Sequence, residues 1–243
     1  MEAAPEPLAL LVCGVAVLVA SIVQTATGMG FGLLAGPLVL LVQPALVPGP
    51  LLVGTLASLL PVLWRERAAL EFAAMRGAML ASVPGVVAGL GLVQVIDGRV
   101  LGITVGVVVL AACGAALAGI RLPGGRGALT VAGFTSGALS TVAATPGPPL
   151  VLTYRAPTPA AQRANLSLFF VGTTVLSLAV LVAGGELSGT GLGSGAVLVP
   201  FVLLGYAAAG PLRRRLALPA MRRAALVLCV VSGAALLVRS LAG

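Results

Sequence analysis

The sequence predicts an all-α polytopic membrane protein built of two inverted repeats, each a broken (re-entrant) helical hairpin followed by three transmembrane helices. Three observations lead there. First, the 243 residues are 59% apolar and only 8% charged, whereas soluble domains are about one quarter charged. Second, the charges leave free the intervals 7–64, 77–96, 100–120, 127–154, 164–185, 187–212 and 224–238, most of them near the roughly 20 residues that a helix needs to cross hydrocarbon. Third, glycine and proline interrupt the chain at two matching places.

The interval 7–64 is too long for one span. It is broken at Thr27-Gly-Met-Gly-Phe-Gly32 and again over 43–50, where Pro44, Pro48 and Pro50 cluster. Such residues interrupt helices. The expected elements are a helix over 8–26, a broken return over 31–43 and a span over 49–63. A polar loop with Arg65 and Arg76 precedes spans over 77–95 and 100–120, which turn at Asp97-Gly98. Residues 121–127 are a connector. The interval 128–153 is interrupted at Thr145-Pro-Gly-Pro-Pro149, and spans over 165–183, 194–211 and 222–240 complete a single membrane domain. The first residues hold Glu2 and Glu6 and no base, which argues against a cleaved secretory signal.

The halves 8–120 and 128–241 share anchors in the same order. Pro37-Leu-Val-Leu40 matches Pro149-Leu-Val-Leu152, Pro84 and Gly89 match Pro200 and Gly205, and Gly114-Ala-Ala-Leu117 matches Gly233-Ala-Ala-Leu236. An ordered repeat of this kind is a sequence mark of transporter folds. With the N-terminus outside and each hairpin re-entrant, all the arginines except Arg99 and Arg239 fall on the cytoplasmic side. That is what the positive-inside rule requires. The expected location is the cell membrane, plasma or bacterial inner, with many passes.

The same residues exclude other classes. All fourteen basic residues are Arg, and they flank the apolar runs without interleaved aromatics, so the charge of +8 marks membrane flanks and not a nucleic-acid face. Cys13, Cys113 and Cys229 stand alone in apolar runs and read as small core residues, against a thiol-disulfide carrier. The chain has no His and no acid at membrane depth. No metal, cofactor or enzymatic nucleophile and base pair is therefore expected, and a carboxylate-coupled cation pump is disfavoured.

What remains near the midplane is broken backbone with small polar side chains. Irregular backbone survives in a bilayer only when it is buried in protein or lines a wet cavity, and a half-helix N-terminus suits an anion. The candidate substrate-binding residues are Gln24, Thr25, Thr27, Gly28, Gly30 and Gly32 in the first hairpin. In the second half they are Ser136, Ser140, Thr141, Thr145, Gly147 and Asn165. Thr27 is expected to cap the first return helix, leaving the N–H groups of residues 28–31 free. Thr145 is expected to cap the second, where the prolines leave Gly147 as the donor. Thr55 and Thr173 read as packing residues, because small polar residues gather where membrane helices meet. Arg76, Arg155 and Arg163 read first as topology charges and second as a vestibule for anions.

The segment from Thr27 to Leu38, its partner Gly133-Phe-Thr-Ser-Gly137 leading to Thr145-Pro-Gly-Pro-Pro-Leu150, and the stretch from Gly205 to Arg215 resemble the TauE/SafE family of sulfite and organosulfonate exporters. The resemblance covers essentially the whole chain. It implies a small, duplicated, all-helical carrier, with Gly28, Gly30, Gly32, Gly36, Pro37, Gly147, Pro148 and Pro149 at the breaks. The chain departs from the family pattern in diluting the first glycine run and in placing proline where the second half commonly has glycine. The expected function is export of a small anion such as sulfite or a short organosulfonate. The alternative is a membrane scaffold or assembly factor that transports nothing. The expected partners are a small anionic substrate and the lipid bilayer, and a homo-oligomer is compatible with the sequence.

Overall fold

The computed structural model describes residues 7–27, 30–120, 122, 124–215 and 218–242. Every regular element among them is helical: α1 (Pro7–Thr27), α2 (Phe31–Val42), α3 (Gly49–Glu66), α4 (Phe72–Val93), α5 (Gly98–Leu117), α6 (Arg126–Ala143), α7 (Gly147–Thr153), α8 (Pro159–Ala183), α9 (Gly189–Arg215) and α10 (Leu218–Ala242). Among the described residues six helices, α1, α4, α5, α8, α9 and α10, contain segments long and apolar enough to cross a membrane. The chain is a polytopic α-helical membrane protein.

Most helices outrun the spans expected from charge. The α4 helix starts at Phe72 and holds Arg76, and α8 starts at Pro159 and holds Arg163. A charge at a membrane flank does not stop a helix; the start is set by capping. Thr158 caps α8, its Oγ1 accepting from Ala161 N at 3.1 Å, and Asp97 caps α5, its Oδ1 accepting from Val100 N at 2.7 Å. The α5 helix, in contrast, ends earlier than expected, at Leu117.

Hydrogen bonds and an ion pair join separate helices at each end of the bundle. Leu122 N–H donates to Leu152 O at 3.1 Å, which ties the segment before α6 to the end of α7. That end also holds the Arg163–Glu66 ion pair (3.1 Å) and the loop after α7. At the opposite end Arg239 donates to Leu41 O, and Arg99 to Leu241 O at 3.1 Å, joining the end of α2 to α10 and α5.

The α1 helix packs on α9, and α4 packs on α6. Ser21 Oγ donates to Val202 O at 2.7 Å across the first contact, and Thr141 Oγ1 donates to Val86 O at 3.3 Å across the second. Val86 and Val202 each stand two residues after the matched prolines Pro84 and Pro200. A Cβ on Gly89 would meet Thr141 Cβ at 2.8 Å, and one on Gly205 would meet Ser21 Cβ at 2.8 Å. The α5–α10 and α3–α8 contacts join like-numbered elements of the two halves. One buried apolar cluster runs from Phe31, Cys113 and Cys229 through Leu34 and Val39 to Leu46, Leu187 and Val202. A second, around Met75, Leu150, Phe169 and Phe170, packs α4, α7 and α8 together.

Candidate functional site

The two helix breaks meet at the floor of a cavity of about 750 Å³. At the first break Gly30 takes φ +110, in the left-handed half of backbone space where side chains are strained. The next residue opens α2, and its N–H is capped from α1: Phe31 N donates to Gln24 Oε1 at 3.1 Å. The cap residue of α2 is thus Gly30, and among the described side chains Gln24 serves the helix start. Gly28 lies outside the described residues, as does the side chain of Thr27.

At the second break Ala144 adopts φ 51, left-handed although it is not glycine. Its N–H donates to Ser140 O at 3.0 Å and Thr145 N–H to Leu139 O at 3.2 Å, so the chain turn closes the C-terminus of α6. Thr145 Oγ1 donates to Ala143 O at 2.8 Å. The threonine hydroxyl therefore serves the end of α6. It does not cap α7, whose cap residue is Pro146. The breaks are in direct contact: a Cβ on Gly32 would run into the Ala144 carbonyl and come within 3.0 Å of Thr145 Oγ1.

Of the residues expected at the site, Gln24, Gly30, Gly32, Thr145 and Gly147 line the cavity. Thr25, Ser136, Ser140, Thr141 and Asn165 are not among its lining. Ser140 and Thr141 face the neighbouring helices, where Ser177 Oγ donates to Ser140 Oγ at 3.0 Å and bonds Thr141 Oγ1 at 3.0 Å. Ser136 and Thr25 are buried hydroxyls elsewhere in the bundle. Asn165 is a bracket: its Oδ1 accepts from Glu71 N at 2.8 Å and its Nδ2 donates to Tyr154 OH at 2.8 Å. Among the residues matched to the family pattern, Pro148 also lines the cavity, while Gly36 lies behind it, its absent Cβ 3.6 Å from Thr145 Oγ1.

The structure adds lining residues that sequence reasoning set aside. Thr55, Cys113, Gln162, Phe170 and Cys229 are in the wall, and exposed Arg155 is at the mouth. One signal for Thr55 was present: Val53-Gly54-Thr55 recurs as Val171-Gly172-Thr173, and both threonines donate to the carbonyl four residues back. Gln162 holds the mouth loop, donating to Tyr154 O at 3.2 Å and accepting from Ala156 N at 2.8 Å. Burial pushes the Tyr154 phenol above its ordinary range against the opposing Asn165 hydrogen bond, and the Glu71 charge adds to the rise.

The electrostatics are one-sided. Among the described residues, Arg155 is the charged one in the lining, and no Asp or Glu is in it. The first turn of α2, with Gly32 and Leu33, faces the cavity and brings the positive end of the helix dipole there. Among the described residues no group of three His, Cys, Asp or Glu could hold a metal ion.

No curated protein and no solved structure matches the chain. One family model does, described as sulfite exporter TauE/SafE, over residues 13–236. That match spans both breaks and nearly every helix, so the chain belongs to the sulfite exporter TauE/SafE family, membrane transporters of sulfite-type and sulfonate-type anions.

Proposed function

We infer that this protein exports small anions such as sulfite or short organosulfonates, held near the midplane between the two helix breaks. One observation bears most of the weight: both breaks floor a single cavity whose described lining contains an arginine and a helix N-terminus and no carboxylate. About 750 Å³ is far more than a small oxyanion fills, since a water molecule takes about 30 Å³. The anion therefore enters with part of its hydration and exchanges water for N–H donors at the floor.

Several features support a reading of the halves as inverted repeats. The Ser21–Val202 and Thr141–Val86 bonds fall at matched positions, and the pairings α1–α9 and α4–α6 exchange when the halves are exchanged. The cavity opens beside Arg155, at the end that also carries Arg65, Arg67 and Arg163, which the positive-inside rule makes cytoplasmic. Beyond the floor the chain packs into an apolar cluster that includes buried Leu46 and Leu187. This is the cytoplasm-open state of an alternating-access cycle. The interior-negative potential drives an anion outward by about 2.3 kcal/mol per charge per 100 mV, without a membrane carboxylate.

Reconstituted protein tests the inference. Sulfite or short-sulfonate efflux from liposomes under an imposed potential is expected to exceed that from empty vesicles. Arg155→Gln is expected to raise the half-saturating anion concentration about fivefold, which is roughly 1 kcal/mol, at normal yield, with Arg155→Lys restoring most of it. Efflux equal to that of empty vesicles across a panel of such anions sinks the proposal.

A further inference from the structure

Cys113 and Cys229 are far apart in sequence, and neither belongs to a Cys-x-x-Cys pair. The packing of α5 on α10 brings them together. Glycines set the register of that contact. A Cβ on Gly102 would meet Ser240, one on Gly106 would meet Leu237 Cβ at 3.1 Å, and one on Gly233 would meet Val109 Cγ1 at 3.0 Å. Positions ascend along α5 as they descend along α10, so the helices are antiparallel. The next turn of that register puts Cys113 opposite Cys229.

Both thiols are buried, at 1% and 5% exposure, and both line the cavity. Both are free thiols. The third cysteine, Cys13, is buried on α1 and is not in the cavity lining.

We propose that Cys113 and Cys229 form a dithiol site in the cavity wall, at which a peroxide arriving through the cavity closes a disulfide between α5 and α10. The glycine-mediated approach of the two helices suits the short Cα separation that a disulfide requires. In the first step one cysteine, as its thiolate, attacks a peroxide oxygen. The O–O bond breaks, giving a sulfenic acid and hydroxide, which takes up the thiol proton as water. The second sulfur then displaces the sulfenic hydroxyl, forming the S–S bond and a second water. Two thiols lose two electrons and the peroxide gains them. The product is neutral. The crosslink fixes α5 to α10 where they wall the cavity. Its formation is independent of which anion the protein transports.

The test needs no transport assay. Purified full-length protein is treated with hydrogen peroxide, denatured without reductant, alkylated with a maleimide and weighed intact, and its peptides are mapped before reduction. The expected result is one maleimide adduct, on Cys13, a loss of two hydrogens, and a linked Cys113–Cys229 peptide pair. Dithiothreitol restores three adducts. In Cys113→Ser, Cys229 is expected to remain alkylatable after peroxide. Three adducts on peroxide-treated wild-type protein, a disulfide involving Cys13, a linkage between chains on a non-reducing gel, or sulfinic acid without a crosslink would each overturn the proposal. The wild-type measurement decides the matter even if the serine variant folds poorly.

Discussion

At Gly32 the absence of a side chain is what lets two interrupted helices touch. Its hydrogen faces the Ala144 carbonyl, and Thr145 fills the remaining space. Gly147 has a different role, since a Cβ there would meet only Phe170 Cζ, at an ordinary 3.8 Å. The two glycines looked alike in sequence, both being break residues. Their environments predict opposite outcomes. Gly32→Val is expected to lower the stability of the purified protein by about 1–3 kcal/mol, the usual cost of forcing atoms into a packed site, while Gly147→Ala unfolds near the wild-type temperature. Thermal unfolding in one detergent compares them directly. Equal melting of Gly32→Val and wild type would mean that the breaks do not pack as described. Gln24 and Thr145 carry a related lesson. Each is a polar residue beside a break, and each uses its side chain on a helix terminus, Gln24 on the start of α2 and Thr145 on the end of α6.

Between elements, hydrogen bonds in the described core tie helices that sequence places far apart. Asn165 joins the start of α4 to the loop after α7 from its place in α8. Asn165→Leu removes both bonds and leaves the Glu71 N–H without its acceptor. The expected cost is about 2 kcal/mol of stability, seen as lower folded yield and lower melting temperature. A direct binding role for Asn165 would instead leave melting unchanged and weaken anion affinity. The helix boundaries teach the same point about local signals. Charges marked roughly where spans lie, but Thr158 and Asp97 decide where α8 and α5 begin. Arg76 and Arg163 are inside helices because a flanking arginine extends toward water without interrupting the backbone.

For the whole molecule, the distribution of arginine and the position of the cavity mouth coincide. Arg65, Arg67, Arg155 and Arg163 gather at one end, and Arg99 and Arg239 at the other. Sidedness can be read with single reactive cysteines, since the native ones are buried. Gly124→Cys, in the exposed connector near the cavity mouth, is expected to react with a membrane-impermeant maleimide only from the cytoplasm. Glu186→Cys, exposed between α8 and α9, is expected to react only from outside. Labelling of both from the same side would remove the inverted arrangement and the outward direction of transport with it.

The sequence by itself determined the helical membrane class, the places of the two breaks and the skew of arginine. Each follows from composition read along one dimension: apolar length sets a span, glycine and proline interrupt it, and charge stays near water. Tertiary structure alone decided which small polar groups face the cavity. Thr55 does, while Ser140 and Thr141, closer to a break in sequence, turn to α4 and α8 instead. That choice depends on how each helix is rotated against its neighbours. In α5 and α10 it depends on the antiparallel register that brings Cys113 to Cys229, and no local pattern of residues records it.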